Sequence, residues 1–253
     1  MDFSILMTLD GLFYLVVLSL LEVVLGIDNI IFISIVSDRL PKEKQRSARN
    51  VGLSLALVIR LLLLSIVALI MQMTTPLFTI YEIPFSGQSL VLLLGGLFLI
   101  YKSTTEMHDT ISGRTEADQK GKITLGGVIT QIVLIDIVFS FDSIITAIGL
   151  TNGIAKETGG NPMVLIYIAV IISMIVMLIF AKQISTFINN RPTIKMIALS
   201  FLVTIGVILV AEAFGQHIPK GYIYFAMVYS LIVEFLNIRM RKVNEKKKLN
   251  GKS

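Results

Sequence analysis

The sequence predicts an all-α membrane protein with seven transmembrane helices. Its 253 residues are 55% hydrophobic and only 15% charged, with a mean hydropathy of +0.83, whereas soluble domains are roughly 45–50% apolar and about 25% charged. Seven separate apolar runs reach the roughly 17–25 residues that a helix needs to cross the hydrocarbon core of a bilayer. Little sequence is left over for any soluble domain.

The predicted spans follow one another along the chain with short connections. They cover residues 11–36, 51–73, 87–105, 124–150, 163–185, 194–214 and 221–238. The polar stretch 106–123 predicts a cytoplasmic linker, and residues 239–253 predict a basic cytoplasmic tail. No basic segment precedes the first run and no small-residue cleavage site follows it, so we expect this run to remain as a span rather than to be removed as a signal peptide.

The basic residues predict how the spans are oriented. All but three of the 22 Lys and Arg residues lie in the tail or in connections that follow odd-numbered spans; the three are Arg60, Lys156 and Lys220. Because positively charged loops remain in the cytoplasm, we expect the N-terminus outside and the C-terminus inside. The formal charge of +5 is therefore interpreted as a topology signal. The bases form no patch interleaved with aromatic residues, so we expect no nucleic-acid binding.

Two of the spans carry the same arrangement of acids. In each copy five residues separate a first carboxylate from a second, and a short polar residue follows. The recurring residues are Glu22, Asp28 and Asn29 in the first span, and Asp136, Asp142 and Ser143 in the fourth. An ionisable side chain inside the hydrocarbon layer is unfavourable and normally faces a cavity, a partner or an ion. The doubled motif therefore predicts a functional site.

The doubled motif also indicates an internal repeat. A shift of 114 residues superposes Glu22 on Asp136, and a shift of 110 superposes Gly96 on Gly206. Residues 11–105 and 124–214 are thus interpreted as two three-helix units, with the seventh helix outside the repeat. Because three is odd, the second unit would cross the membrane in the opposite direction. Inverted repeats of this kind are found in many transporters, with substrate sites near the bilayer midplane.

The residue types restrict which ion such a site would accept. The chain has no cysteine, and neither of its two histidines lies in a predicted span. A metal bound within the membrane would therefore need oxygen ligands, which favours Mg²⁺, Ca²⁺ or Mn²⁺ over Zn²⁺ or Cu²⁺. Four carboxylates exceed the charge of one divalent ion. We therefore expect a second cation or protonation of some acids, which leaves proton exchange as a further expectation.

The spacing of the acids requires a distortion if both are to face one site. Residues six apart on a regular helix differ by about 240° of rotation, so we expect interruptions at Gly26 and Ser140, which lie between the acids. We further expect Glu22 and Asp136 near the membrane centre. Asp28 would then lie toward the inner side and Asp142 toward the outer side. Asn29 would lie beside Asp28, and Ser143 beside Asp142.

Arg60 is the one basic residue in the middle of a predicted span, and Met174 occupies the corresponding position in the other half. Two interpretations are open. Arg60 is either a functional counterion that makes the two acid pairs unequal, or a structural salt-bridge partner of Glu22 or Asp28.

The elements Glu-x-x-x-Gly-x-Asp-Asn and Asp-x-x-Phe-Ser-x-Asp-Ser resemble those of the TerC family of bacterial integral membrane proteins, which belongs with the LysE-type transporters. The likeness covers about residues 10–240, including Ile-Pro-Lys-Gly-Tyr-Ile-Tyr at the start of the last span. The family is associated with tellurite resistance, metal homeostasis and manganese efflux. The resemblance implies that the six motif residues bind the metal or line its path.

We therefore expect a lipid-embedded transporter in the bacterial cytoplasmic membrane that exports a divalent cation by alternating access. Mn²⁺ is the expected ion from the resemblance, although the residues accept Ca²⁺ equally well. No enzyme activity and no prosthetic group are expected. The alternative is a non-transporting accessory protein in metal or tellurite resistance, or in metal delivery to exported proteins. An intramembrane aspartyl protease is disfavoured, because neither Asp28 nor Asp142 has the neighbouring glycine of that pattern.

Overall fold

The computed structural model describes residues 4–66, 75–80, 83–112, 124–158, 163–216, 218–219 and 221–250. A short 3₁₀ turn at Ser4–Met7 comes first. The other elements, in chain order, are α1 (Leu9–Leu25), α2 (Ile27–Asp38), α3 (Lys42–Ser65), β1 (Pro76–Ile80), β2 (Ile83–Ser86), α4 (Gly87–Ile111), α5 (Leu125–Thr158), α6 (Met163–Asn189), α7 (Pro192–Ala213) and α8 (Gly221–Asn250). Helices α1 and α2 together form one span. Seven spans in these ranges are long and apolar enough to cross a membrane, as predicted.

The first span is interrupted at Gly26, as expected from the sequence, but only slightly. Gly26 has φ −85° and ψ −6°, and its N–H still donates to the carbonyl of Glu22 at 2.9 Å. The expected interruption at Ser140 is wrong, because α5 runs through this residue without a break. The Ser140 hydroxyl donates to Asp136 Oδ2 at 3.2 Å. Its polar group is thus satisfied one turn away, and the backbone remains helical.

Several helices extend beyond the apolar runs that predicted them. Helix α3 begins at Lys42, nine residues before its run, and α8 continues to Asn250, so most of the expected tail is helical. Helix α4 ends at Ile111, so residues 106–111 are helix rather than linker. Residues 113–123 of the expected linker lie outside the described part. Hydropathy detects only the membrane portion of a helix, because polar residues continue a helix equally well in water.

A short hairpin between α3 and α4 was not predicted. Strands β1 and β2 pair antiparallel, and Phe85 stacks on Phe78 with ring centroids 5.6 Å apart. Phe85 also contacts Phe214, just beyond α7, edge-on at 5.4 Å. Ser86 then caps α4 through a reciprocal arrangement with Ser89. The hairpin therefore fixes the start of α4 against the end of α7.

The helices pack in three principal pairs. Helix α1 packs along α6, α3 along α5, and α4 along α7, whereas α8 touches the rest of the described structure mainly through α7. The α4–α7 pair is the most intimate. A Cβ atom built on Gly96 would lie only 2.7 Å from the carbonyl oxygen of Gly206, and one built on Gly206 would lie 2.9 Å from the carbonyl oxygen of Gly96. Glycines let two transmembrane helices approach this closely.

Candidate functional site

Three charged side chains from three helices meet in the interior of the bundle. Glu22 from α1, Arg60 from α3 and Asp136 from α5 are each no more than 3% exposed. Arg60 Nη1 lies 2.9 Å from Glu22 Oε2, and Arg60 Nη2 lies 2.9 Å from Asp136 Oδ1. Arg60 Nε donates to Ser140 Oγ at 3.0 Å. One guanidinium thus joins the first acids of both motif copies.

Neutral polar groups complete this central cluster. Asn29 Nδ2 donates to Asp136 Oδ1 at 3.0 Å. Ser143 Oγ donates to the Ser140 carbonyl at 3.4 Å. Asn29 Oδ1 is buried and has no hydrogen-bond partner among the described residues. The cluster therefore contains an unused amide oxygen beside its two carboxylates.

Helical periodicity explains which motif residues join the cluster. Residues four and seven positions after a given residue lie on the same face of a helix. In α5 these positions after Asp136 are Ser140 and Ser143. In the first span the corresponding positions after Glu22 are Gly26 and Asn29. The structure thus groups Asn29 and Ser143 with the first acids, whereas we expected them beside the second acids.

The second acids cannot be placed in the same way. The backbone of Asp28 and Asp142 is helical, but their side chains lie outside the described residues. The predicted inner and outer positions of these two carboxylates stay predictions.

The position of Arg60 follows from close packing between α3 and α5. Gly52 and Ala56 are buried on the face of α3 that includes Arg60, at four-residue intervals. A Cβ atom built on Gly52 would lie 2.9 Å from Cδ1 of Ile132, and Ile132 is one turn before Asp136. The small residues of α3 thus bring its backbone close to α5 and set the guanidinium against Asp136. Of the two partners expected for Arg60, the one with Glu22 is confirmed.

The Asp136 partner was missed because Asp136 lies 76 residues away from Arg60 in the chain. The signal that could have revealed it is the doubled acid motif. Asp136 occupies the position in the second motif copy that Glu22 occupies in the first, so a partner of one acid is a candidate partner of the other.

The charge of the cluster suits cation binding, but the cluster is not a preformed metal cage. With both acids ionised, the three charged groups carry a net charge of −1. Buried charges require such partners, because desolvation is otherwise very unfavourable. No group of three or more His, Cys, Asp or Glu residues able to hold a metal ion occurs among the described residues. The available donors are carboxylate, amide and hydroxyl oxygens, which are ligands for hard cations.

A second network of charges ties together the helix ends on the expected cytoplasmic side. Just after α2, Arg39 pairs with Glu106 and, at 3.1 Å, with Asp109, both on α4. Lys195 on α7 lies 3.4 Å from Asp38. Arg39 and Lys195 were expected only as topology signals, and Glu106 and Asp109 only as part of the linker. Asp38 had no expected role. The structure shows that these residues also connect three spans.

Comparisons with known proteins match this chain to one group of integral membrane proteins. The profile of the integral membrane protein TerC family matches residues 7–249. A UPF0053 protein of Haemophilus influenzae is 48% identical over 231 residues, which cover 90% of this chain and 94% of that protein. The UPF0053 inner membrane protein YgdQ of Escherichia coli is 46% identical over 227 residues, covering 90% of this chain and 92% of YgdQ.

A longer relative matches through only part of its length. The UPF0053 inner membrane protein YoaE of Escherichia coli is 46% identical over 225 residues, covering 88% of this chain but only 42% of YoaE. No solved structure shows a significant match to the chain.

Proposed function

Because the chain belongs to the TerC family of integral membrane proteins, we propose that it exports a divalent metal cation, with Mn²⁺ as the expected substrate, across the bacterial cytoplasmic membrane. The observation that carries the proposal is the convergence of Glu22 and Asp136 at one buried point. These acids come from separate copies of one motif, and both lie near the middle of candidate spans. A structural role would need only one such acid beside Arg60, whereas a cation site benefits from both.

The neutral groups of the central cluster also support a cation site. The buried Asn29 Oδ1 has no described partner, and an unpaired buried carbonyl oxygen is unfavourable unless something compensates it. A metal cation in contact with Glu22 or Asp136 could accept this oxygen as a further ligand. The donor set contains no sulfur or imidazole, so it favours Mn²⁺, Mg²⁺ or Ca²⁺ over Zn²⁺.

The packing of the helices supports alternating access by two inverted halves. Exchanging the halves replaces α1 with α5, α3 with α6 and α4 with α7. This exchange turns the α1–α6 pair into the α3–α5 pair and leaves the α4–α7 pair unchanged. The three principal pairs of the bundle are therefore mapped onto one another. Equivalent residues also meet each other, as Gly96 and Gly206 do. Because each half contains three spans, the two halves would be inverted in the membrane.

Transport is tested most directly with the purified protein in liposomes that contain a manganese-sensitive dye. We expect saturable Mn²⁺ flux for the natural protein, and at least a tenfold loss for Glu22→Gln and Asp136→Asn. The matched control is Glu43→Gln, which neutralises an exposed carboxylate at the start of α3 and should leave the flux unchanged. Folded natural protein without flux would refute the proposal and support the non-transporting accessory role. Equal flux in all variants would show that the central cluster does not contribute to the transport path.

The proposed orientation is open to a separate test, because the sequence contains no cysteine. Thr79→Cys in β1 and Ser112→Cys after α4 each introduce a single exposed thiol. We expect a membrane-impermeant maleimide to label Thr79→Cys in intact cells, and Ser112→Cys only after permeabilisation. The reverse pattern would invert the orientation proposed for the spans.

A further inference from the structure

The central cluster contains a cation of its own. Arg60 bonds simultaneously to Glu22, Asp136 and Ser140, with distances of 2.9, 2.9 and 3.0 Å. Its guanidinium thus occupies one oxygen of each carboxylate, Glu22 Oε2 and Asp136 Oδ1, and a metal ion that bridged the two acids through these oxygens would have to displace it. A metal ion and the guanidinium cannot contact both carboxylates in the same way at once.

We propose that Arg60 is a tethered competitor of the transported ion, which holds the Glu22–Asp136 pair when no metal is bound and leaves it when a metal ion binds. This inference rests on the proposed function and adds a selection step to it. The guanidinium is attached to α3, so it returns to the acids when the metal leaves. The acids therefore have a cationic partner in both states.

Electrostatics gives this exchange a preference for divalent ions. With Arg60 in place, the guanidinium and two ionised acids carry a net charge of −1. A monovalent ion that replaced the guanidinium would leave the same −1 while abolishing three hydrogen bonds or ion pairs. A divalent ion would bring the pair of acids to neutrality, and this stronger attraction where water is excluded offsets more of the cost of displacing the buried guanidinium than a monovalent ion can. Arg60 would thus act as a specificity-determining residue against Na⁺ and K⁺.

The asymmetry between the halves leaves one cation to serve both acids, so a single exchange event is enough to free the pair. Met174, at the position equivalent to Arg60, is buried and apolar. The second half therefore supplies no cation of its own to either acid. A single cation serving both acids is sufficient to occupy the shared site and can be replaced there by one ion.

Equilibrium binding of Mn²⁺ to purified protein in detergent tests the exchange. The concentration of free Mn²⁺ is measured by electron paramagnetic resonance. If Arg60 competes with the metal, weakening its hold should raise Mn²⁺ affinity. Ser140→Ala removes one hydrogen bond to the guanidinium and keeps all three charges, so we expect affinity to rise roughly three- to tenfold. Arg60→Met removes the competitor, and affinity should rise more than tenfold while flux in liposomes falls because the ion is retained.

The selection step has its own readout in the same samples. We expect 100 mM Na⁺ or K⁺ to leave Mn²⁺ binding to the natural protein almost unchanged and to weaken it clearly in Arg60→Met. Arg60→Lys keeps the charge but cannot form all three contacts, so its affinity should lie between those of the natural protein and Arg60→Met. If Arg60→Met does not fold, Ser140→Ala and Arg60→Lys carry the test.

The possible failures are distinguishable. If Ser140→Ala and Arg60→Lys bind Mn²⁺ no more tightly than the natural protein while Glu22→Gln abolishes binding, Arg60 is only a structural tie and the proposed transport function stands. If neither the natural protein nor any variant binds Mn²⁺, the proposed function itself fails.

Discussion

Replacing Gly96 with alanine tests the closest approach between α4 and α7. The added methyl group would lie 2.7 Å from the Gly206 carbonyl oxygen and 2.9 Å from Val210 Cγ2. Carbon–oxygen contacts between helices are normally about 3.3–3.6 Å, so the helices must separate by several tenths of an ångström. Overpacking of this kind costs about 1–3 kcal/mol. The better helix propensity of alanine returns roughly 0.5–1 kcal/mol, which leaves a net loss between about 0 and 2.5 kcal/mol, centred near 1 kcal/mol.

Gly126→Ala is the matched control for this prediction. Gly126 is also helical, in the first turn of α5, but a Cβ built there would have no described atom within 4 Å apart from its chain neighbours and the backbone of its own helix. We expect Gly126→Ala to be neutral or slightly stabilising. Thermal unfolding of purified protein in detergent measures both variants. If Gly96→Ala is as stable as Gly126→Ala, the described approach of α4 and α7 is wrong.

The double variant Gly96→Ala/Gly206→Ala sharpens the test. Each new methyl group would press on the opposite helix at nearly the same point, so the separation that accommodates the first also relieves the second. We expect the double variant to lose less stability than the sum of the single variants, by at least about 0.5 kcal/mol. Additive losses would show that the two glycines do not share one contact.

Three further predictions concern contacts elsewhere in the bundle. Arg39→Gln should lower the free energy of unfolding by about 1–3 kcal/mol, because it leaves the buried Glu106 carboxylate without its partner. Lys195→Gln should lower it by less than about 1 kcal/mol, because the pair with Asp38 is longer and more exposed. Equal losses in thermal unfolding would contradict this difference. Thr193→Val removes the hydroxyl that donates to a buried carboxylate of α8, so we expect faster proteolysis of α8, and an unchanged digestion rate would count against that contact. Gly26→Ala should change stability by less than about 1 kcal/mol, since Gly26 has a negative φ and the methyl group would meet the flexible end of Met177 at 2.5 Å and the Glu22 carbonyl oxygen at 3.0 Å. A large loss in thermal unfolding would show that the interruption requires glycine.

Much of the candidate site was predictable because its first acids violate a strong local rule. Carboxylates in an apolar run are unfavourable enough to mark a site without knowledge of the fold. The spacing of four and seven residues also predicts that Ser143 shares a helix face with Asp136. That signal was available and was passed over, because Asn29 and Ser143 were assigned to the neighbouring second acids.

The errors at Ser140 and at the ends of the helices have a different origin. The interruption at Ser140 was expected so that both acids of one helix could reach one site. The described convergence instead joins acids of different helices, so it needs no break within α5. The helix ends were misplaced because hydropathy falls where a helix leaves the membrane, not where its backbone hydrogen bonds end. Glu106 illustrates this, as a charged residue in α4 that packs against Arg39.

The sequence by itself determined the membrane environment, the seven spans and the doubled acid motif, since each follows from the cost of placing polar groups in lipid. Only the tertiary structure decided that Arg60 joins Glu22 to Asp136 and that Gly96 faces Gly206. These contacts link residues 38 to 110 positions apart in the chain. They depend on how closely helices approach at a few small residues such as Gly52, and local hydropathy contains no information about that distance.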